Sequence, residues 1–255
     1  TKGKAIIIQA NGGTPESTIL DGEGKRRVVV CTSGEDETTI IKGFTITNGY
    51  SPYGSGVYCH SSSPRILSCF IVENDAVASS GIRYGGGGVC GYKSSLSLIE
   101  CLIAYNTCSY SDSNTGGGGI SLTFGNGSPL LQECVIRDND GLEYGGLHAS
   151  QGCSPILDDC IIKDNSGTGI TTYGSNMSLE NCEITGHAAG GILVSVYSST
   201  SPTNITNCMI SDNQAGRGIQ IRNPLGGLIE GCIIENHNST SMTDGGAGGG
   251  IRSTY

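Results

Sequence analysis

Ile66-Leu67-Ser68-Cys69-Phe70-Ile71-Val72-Glu73-Asn74 is one copy of a pattern that returns around Cys101, Cys134, Cys160, Cys182, Cys208 and Cys232. Three residues before each Cys stands an aliphatic: Ile66, Leu98, Leu131, Leu157, Leu179, Ile205 and Ile229. Two residues after it stands Ile: Ile71, Ile103, Ile136, Ile162, Ile184, Ile210 and Ile234. Five residues after it stands Asn74, Asn106, Asn139, Asn165 or Asn213, with His187 and His237 in the other two copies. A degenerate copy, Phe44-Thr45-Ile46-Thr47-Asn48, puts Phe44 in the Cys place and brings the Asn one residue early.

Between these units lies a second motif, Gly followed by a branched aliphatic: Gly56-Val57, Gly88-Val89, Gly119-Ile120, Gly146-Leu147, Gly169-Ile170, Gly191-Ile192, Gly218-Ile219 and Gly250-Ile251. Ser-Pro often follows, as at Ser63-Pro64, Ser128-Pro129, Ser154-Pro155 and Ser201-Pro202. Successive repeat Cys are 32, 33, 26, 22, 26 and 24 residues apart. Each interval holds two or three short strands in which inward aliphatics alternate with outward polar residues. Such a unit cannot bury its apolar face alone, so copies must stack into one continuous core. The spacing therefore predicts an all-β solenoid, a parallel β-helix of about nine to ten coils, and a rod on the order of 45 Å long. No window sustains a 3.6-residue apolar period, so almost no helix is expected.

The same texture runs through all 255 residues, which makes one domain: N-terminal coils over 1–43, then Cys/Asn-ladder coils over 44–255. With no initiator Met at Thr1 and a repeat broken off at Tyr255, the chain reads as part of something longer. A net charge of -9 leaves no basic patch for nucleic acid. No apolar run approaches the ~18 residues of a membrane span.

Asn tolerates the left-handed conformation of a tight turn, and stacked Asn amides hydrogen-bond along an axis. The Gly ahead of each second strand is expected to take positive φ. Seven Cys at one inward position suit a stack of small buried hydrophobes better than the crossed geometry of disulfides. Cys59 belongs with the core as well. Cys31, Cys90, Cys108 and Cys153 fall outside that column, which leaves a disulfide between two of them open.

Cys-x-Ile-x-x-Asn, then Gly-Gly-Gly-Ile and Ser-Pro-x-Ile, resembles the right-handed β-helix repeats of the pectin-lyase-like superfamily. Ile19-Leu20-Asp21-Gly22 through Gly43-Phe44-Thr45-Ile46-Thr47-Asn48-Gly49 resembles the first coils of large bacterial cell-surface β-helix proteins. The resemblance covers nearly the whole chain and implies a right-handed coil. It implies little about function, because that superfamily hosts lyases, hydrolases, adhesins and inert stalks.

A solenoid core is inert, so chemistry must sit outside it. Alternation points Tyr58 and His60, Cys90 and Tyr92, Ser121 and Thr123, His148 and Ser150, Thr171 and Tyr173, Leu193 and Ser195, and Gln220 and Arg222 to solvent on the strand after each Gly-aliphatic pair. In pectin-lyase-like enzymes the substrate groove follows a comparable sheet face. On that face the candidate binding residues are Tyr58, His60, Tyr92, His148, Tyr173 and Arg222, with rings to stack on sugars and His or Arg to meet hydroxyls and uronates. An ordinary solvated sheet face rich in Tyr and Thr is the plainer alternative. The loop before the Gly-aliphatic pair adds Tyr53, Tyr84, Tyr110 and Tyr144, with insertions over 76–85 and 107–116 that could form a shared protrusion.

Catalytic signals are poor. Polygalacturonases of the superfamily use Asn-Thr-Asp, Asp-Asp, Gly-His-Gly and Arg-Ile-Lys blocks. Asp138-Asn139-Asp140-Gly141, Asp158-Asp159-Cys160, Gly186-His187-Ala188 and Arg222 follow that order but fail on register. No cofactor is expected. Ca²⁺ on scattered acids such as Asp75, Asp112, Asp140 and Glu143 is the one metal left open. These readings converge on an extracellular or cell-surface structural or adhesive module, carbohydrate-binding or fibre-forming by end-to-end stacking. The alternative is a polysaccharide lyase or glycoside hydrolase acting on an acidic polysaccharide along the sheet face.

Overall fold

The computed structural model describes residues 5–12, 14–77, 85–109, 116–125, 127–196, 202–222, 226–238 and 249–254. Three nine-stranded parallel sheets run the length of the molecule. Sheet A carries the strand that ends two residues before each Cys (Arg65–Leu67 in one coil), and sheet B the strand that follows it (Phe70–Val72). Sheet C carries the strand after the Gly-aliphatic pair (Val57–His60). Each strand pairs in register with its equivalent one coil away. Ile66 faces Leu98, and Leu98 faces Leu131; in sheet B, Ile71 faces Ile103 and Ile103 faces Ile136. Nine strands at about 4.8 Å make a stack of roughly 40 Å. The one described helical element is a 3₁₀ turn at Pro15–Ser17.

The aliphatics three before and two after each Cys are fully buried from Ile66 to Ile210. Burial of each such side chain contributes about 1.5–3 kcal/mol, so the strands are held by the stack rather than by their own short length. Cys69, Cys101, Cys134, Cys160, Cys182 and Cys208 fill one buried column at the corner between sheets A and B. Cys232, in the last described turn of that column, is half-buried. Phe44 fills the same column in the degenerate coil, also buried. All twelve Cys are free thiols, including Cys31, Cys90, Cys108 and Cys153, each of them buried. Cys31 is in register with Cys59 in sheet C, so it belongs to the core. Burial pushes the Cys69 and Cys90 thiols up to about 12, so both stay protonated.

The left-handed residues stand one place away from where the Asn pattern put them. At the corner after sheet B, positive φ falls on Glu73 (56°), Tyr105 (56°), Asp138 (52°), Asp164 (53°) and Asp212 (56°), each directly before the ladder residue. Asn48 (53°) takes that place in the degenerate coil, which is why its Asn comes early. A second column precedes the Cys: Ser68, Glu100, Glu133, Asp159, Asn181 and Asn207. Few of these are Gly, so the stack carries a backbone cost on the order of 1–2 kcal/mol at each corner.

The Asn residues themselves are buried and form the ladder. Asn74 Nδ2 donates to Asn106 Oδ1 (3.0 Å), Asn106 to Asn139 (3.0 Å) and Asn139 to Asn165 (2.9 Å). Each amide also donates to a sheet B carbonyl, as Asn106 does to Ile71 at 2.9 Å. His187 takes the Asn place with different atoms: Nδ1 accepts from the Asn165 backbone N–H at 3.2 Å, and Nε2 lies 3.1 Å from the Ile162 carbonyl. That requires the neutral ring, and burial lowers the His187 pKa to about 4.

This ladder explains the Gly before each sheet C strand, which was expected to take positive φ and does not. The cause is close approach. A Cβ on Gly56 would stand 2.8 Å from Asn74 Nδ2, and one on Gly169 would stand 2.3 Å from His187 Nε2.

Candidate functional site

The outer face of sheet C separates into two aromatic groups. The first is built by the early coils. Val57, Cys59 and Val89 point inward, which turns Tyr58, His60 and Tyr92 out in register: Tyr58 faces Cys90, and His60 faces Tyr92. Tyr53, from the preceding loop, meets the Tyr58 ring edge-on at 5.2 Å. The His60 and Tyr92 rings are 5.0 Å apart and nearly perpendicular, and Tyr92 lies 5.2 Å from Phe124. Arg27 stacks its guanidinium over both Tyr53 (4.4 Å) and Tyr58 (4.6 Å), and its Nε donates to the Tyr53 carbonyl at 2.9 Å. Lys93 Nζ stands 5.7 Å from the Tyr92 ring centroid. Between them is a cleft of about 210 Å³ lined by Tyr53, Tyr58, His60, Tyr92 and Lys93. Burial pushes the Tyr58 phenol up to about 12, with Tyr53 and Cys90 adding to the effect and Arg27 opposing it. It is therefore an O–H donor at neutral pH. Aromatic rings inclined to one another, with Lys93 in the lining and Arg27 stacked on two of the rings, suit a ring-shaped ligand that carries negative charge.

Tyr58, His60, Tyr92 and Tyr53 were legible as candidates. Arg27, Lys93 and Phe124 were not. Lys93 (φ 51°) and Phe124 (φ 55°) follow the second outward residue of their strands in left-handed turns, beside the outer face. The signal in the sequence was their shared position, one past Tyr92 and Thr123.

The second group belongs to the middle coils and differs from the expectation of a solvated row. Cys90, Ser121, Thr123, His148, Ser150, Thr171 and Ser195 all point out of the core, yet all are buried. Glycine backbone of the incoming loops lies against the face: a Cβ on Gly54 would stand 2.9 Å from the Cys90 Cβ, and one on Gly117 3.1 Å from the His148 amide nitrogen. Tyr144 contributes to the cover. It was expected on an exposed loop, but it is buried, stacked on His148 at 5.0 Å with the ring planes 14° apart. Its hydroxyl donates to that of Tyr173 at 3.2 Å. Burial and that bond raise the Tyr144 pKa. Burial alone lowers the His148 pKa to about 4.

Arg222 is exposed on sheet C, two coils beyond Tyr173, and joins neither aromatic group. Tyr84 and Tyr110 lie outside the described residues. The described ends of the two insertions form short strands instead: Asp75–Val77 pairs with Tyr50–Ser51 and with Thr107–Ser109. Of the acids considered for Ca²⁺, Asp75 accepts from Thr107 at 2.5 Å and Asp140 from Ser166 at 2.7 Å, while Asp112 lies outside the described residues. Among the described residues no group of three or more His, Cys, Asp or Glu is arranged to hold a metal ion. Among them, too, no helix is long and apolar enough to cross a membrane.

Stacked parallel sheets of this kind define a β-helix solenoid. Residues 28–204 match the family described as right handed beta helix region, and the chain belongs to that family. Comparison with curated proteins and with solved structures finds no match.

Proposed function

We propose that this chain is an extracellular or cell-surface β-helix module of structural and adhesive character, binding an acidic polysaccharide through the cleft of sheet C. The observation that carries this reading is the cleft lined by Tyr53, Tyr58, His60, Tyr92 and Lys93, with Arg27 stacked on Tyr53 and Tyr58. Stacking rings supply sequence-tolerant contact to a sugar face, and the two cations supply attraction for a carboxylate or sulfate. A lyase or hydrolase would need an acid or base poised at the bond. Asp158 and Asp159 stand in and just after sheet A, away from sheet C, and the cleft lining holds no carboxylate.

The test is calorimetric titration with oligogalacturonate, alongside an assay for unsaturated or reducing-end product. We expect saturable binding without turnover, weakened about tenfold or more by Tyr58→Ala or Arg27→Ala, since a stacked contact is worth on the order of 1 kcal/mol and more when a charge is lost with it. Equal binding by the variants refutes the cleft, and product release refutes the adhesive role. Fibre formation by end-to-end stacking is supported by core-column aliphatics that are exposed in the outermost described coils, Ile8 and Ile251, although their register neighbours Ile41 and Ile219 are buried. Negative-stain images at high protein concentration should show rods joined along their axes.

A further inference from the structure

Sheet B turns a second row of side chains outward. The Ile two places after each Cys points into the core, so the residue one place after it points to water. In four consecutive strands that residue is Phe70, Leu102, Val135 and Ile161, all in register. Phe70, Leu102 and Val135 are half-buried, and Ile161 is 37% exposed. Past Glu183 the row resumes with Met209, 40% exposed, and Ile233. A lone exposed aliphatic is ordinary on a sheet. Apolar side chains stacked about 4.8 Å apart make one continuous strip, the kind of surface that marks an interface. The outward row at the end of the sheet A strands shows the contrast: Gln132, Asp158, Glu180 and Thr206 are polar.

Opposite charges flank this strip. The chain crosses it at right angles to the rod, so residues before and after it lie on opposite sides. Two places before Val135 and Ile161 stand Glu133 and Asp159, both exposed at the left-handed corner. Two places after them stand Arg137 and Lys163. Arg137 donates to Tyr105 and to Asp138 of its own corner. Among the described residues no ion pair takes in Glu133, Asp159 or Lys163, although Asp164 is next to Lys163 in the chain.

This order is self-complementary in one arrangement. A two-fold axis parallel to the rod and running along the strip lays each row residue against its own counterpart. The same axis carries the acidic flank of one copy onto the basic flank of the other, at the same level of the rod. A two-fold axis across the rod between these two coils would set Glu133 against Asp159 instead, which like charges oppose.

We propose that the outer face of sheet B is a docking surface for a second copy of this chain. The two rods lie parallel, with Phe70, Leu102, Val135 and Ile161 packed on their counterparts and Asp159 of each copy paired with Lys163 of the other. This goes beyond the glycan reading and stands without it. Sheet C remains free in the pair, so the two clefts lie at one level and can grip one polysaccharide together.

Sedimentation equilibrium across a wide range of protein concentration is the first test. Twice the mass of the chain is expected, and a monomer throughout overturns the proposal. Ile161→Asp, an outward substitution that should leave Tm unchanged, should abolish the doubling. A doubled mass that survives in folded Ile161→Asp comes from another surface and overturns it. Lys163→Glu should weaken the pair about tenfold, and Asp159→Lys added to it should restore the wild-type constant. Failure of the double variant to recover refutes the parallel pairing. In a Cys232→Ser background, Val135→Cys and Ile161→Cys should each cross-link to a dimer with a short bismaleimide, because both positions meet themselves. Cross-linking at one of them alone means antiparallel rods and also refutes it. Binding of a short oligogalacturonate, counted per chain, should be unchanged in Ile161→Asp, so the cleft and the pair fail independently.

Discussion

His187 and His148 are both buried, and burial lowers both pKa values to about 4. They sit in regions with opposite accounting of polar groups. His187 lies in the Asn column, where one ring nitrogen accepts from Asn165 and the other meets the Ile162 carbonyl. His148 lies under Tyr144 on the outer face of sheet C, where Nδ1 meets nothing. Along the Asn column the same polar residue recurs at one register, and each copy supplies the partner the next one needs. On the outer face the residues vary from coil to coil, so neighbours do not satisfy one another. A repeated polar residue can close its own network; a varied row leaves single atoms such as His148 Nδ1 unpaired.

The sharpest way to break that contrast is to interrupt the column. Asn139→Ala removes the acceptor for the Asn106 amide and side chain and the donors to Ile103 and Asn165. A loss of about 4 kcal/mol is expected from several buried groups left unpaired, measured by urea unfolding. A loss below about 1 kcal/mol would mean that water enters and replaces the ladder. Acid is the next lever. Each histidine has a folded pKa near 4 against about 6.5 unfolded, so the unfolded chain takes up protons first as pH falls. Stability is therefore complete above about pH 6.5 and declines as pH drops toward 4, by on the order of 3 kcal/mol per histidine. His187→Asn should restore ladder chemistry and flatten that slope by about half, seen in thermal melts between pH 7 and 4. Smaller still is Gly169→Ala, whose Cβ would press on His187 Nε2. It should cost about 2 kcal/mol by overpacking. In the His187→Asn background the penalty should shrink if the imidazole is what it strikes.

Period, column and core were readable from residues alone. The Cys and Ile positions predicted a stack, and Cys69 through Cys208 do pile inside one tube. The Asn ladder was readable because identical side chains at identical register can only meet their own kind. Three things were not readable. Positive φ belongs to Glu73 and its equivalents because the backbone must turn one residue earlier, so that Asn74 can point inward and bond along the axis. Gly169 is small because His187 occupies its side-chain space from the next coil. Ser121 and His148 are buried because loop backbone and Tyr144 lie over strands whose alternation merely turned them outward.

The sequence by itself determined the repeat, the parallel stacking and the contents of the interior, because those depend on which residue recurs at a fixed spacing and on apolar burial. Only the tertiary structure decided that Tyr53, Tyr58, His60, Tyr92 and Lys93 line one cleft, with Arg27 stacked on two of its rings, while Tyr144 stacks on His148. The reason is physical. Periodicity specifies which way a side chain leaves the strand, whereas exposure and grouping depend on irregular loops, whose course follows from close packing against coils far away in sequence.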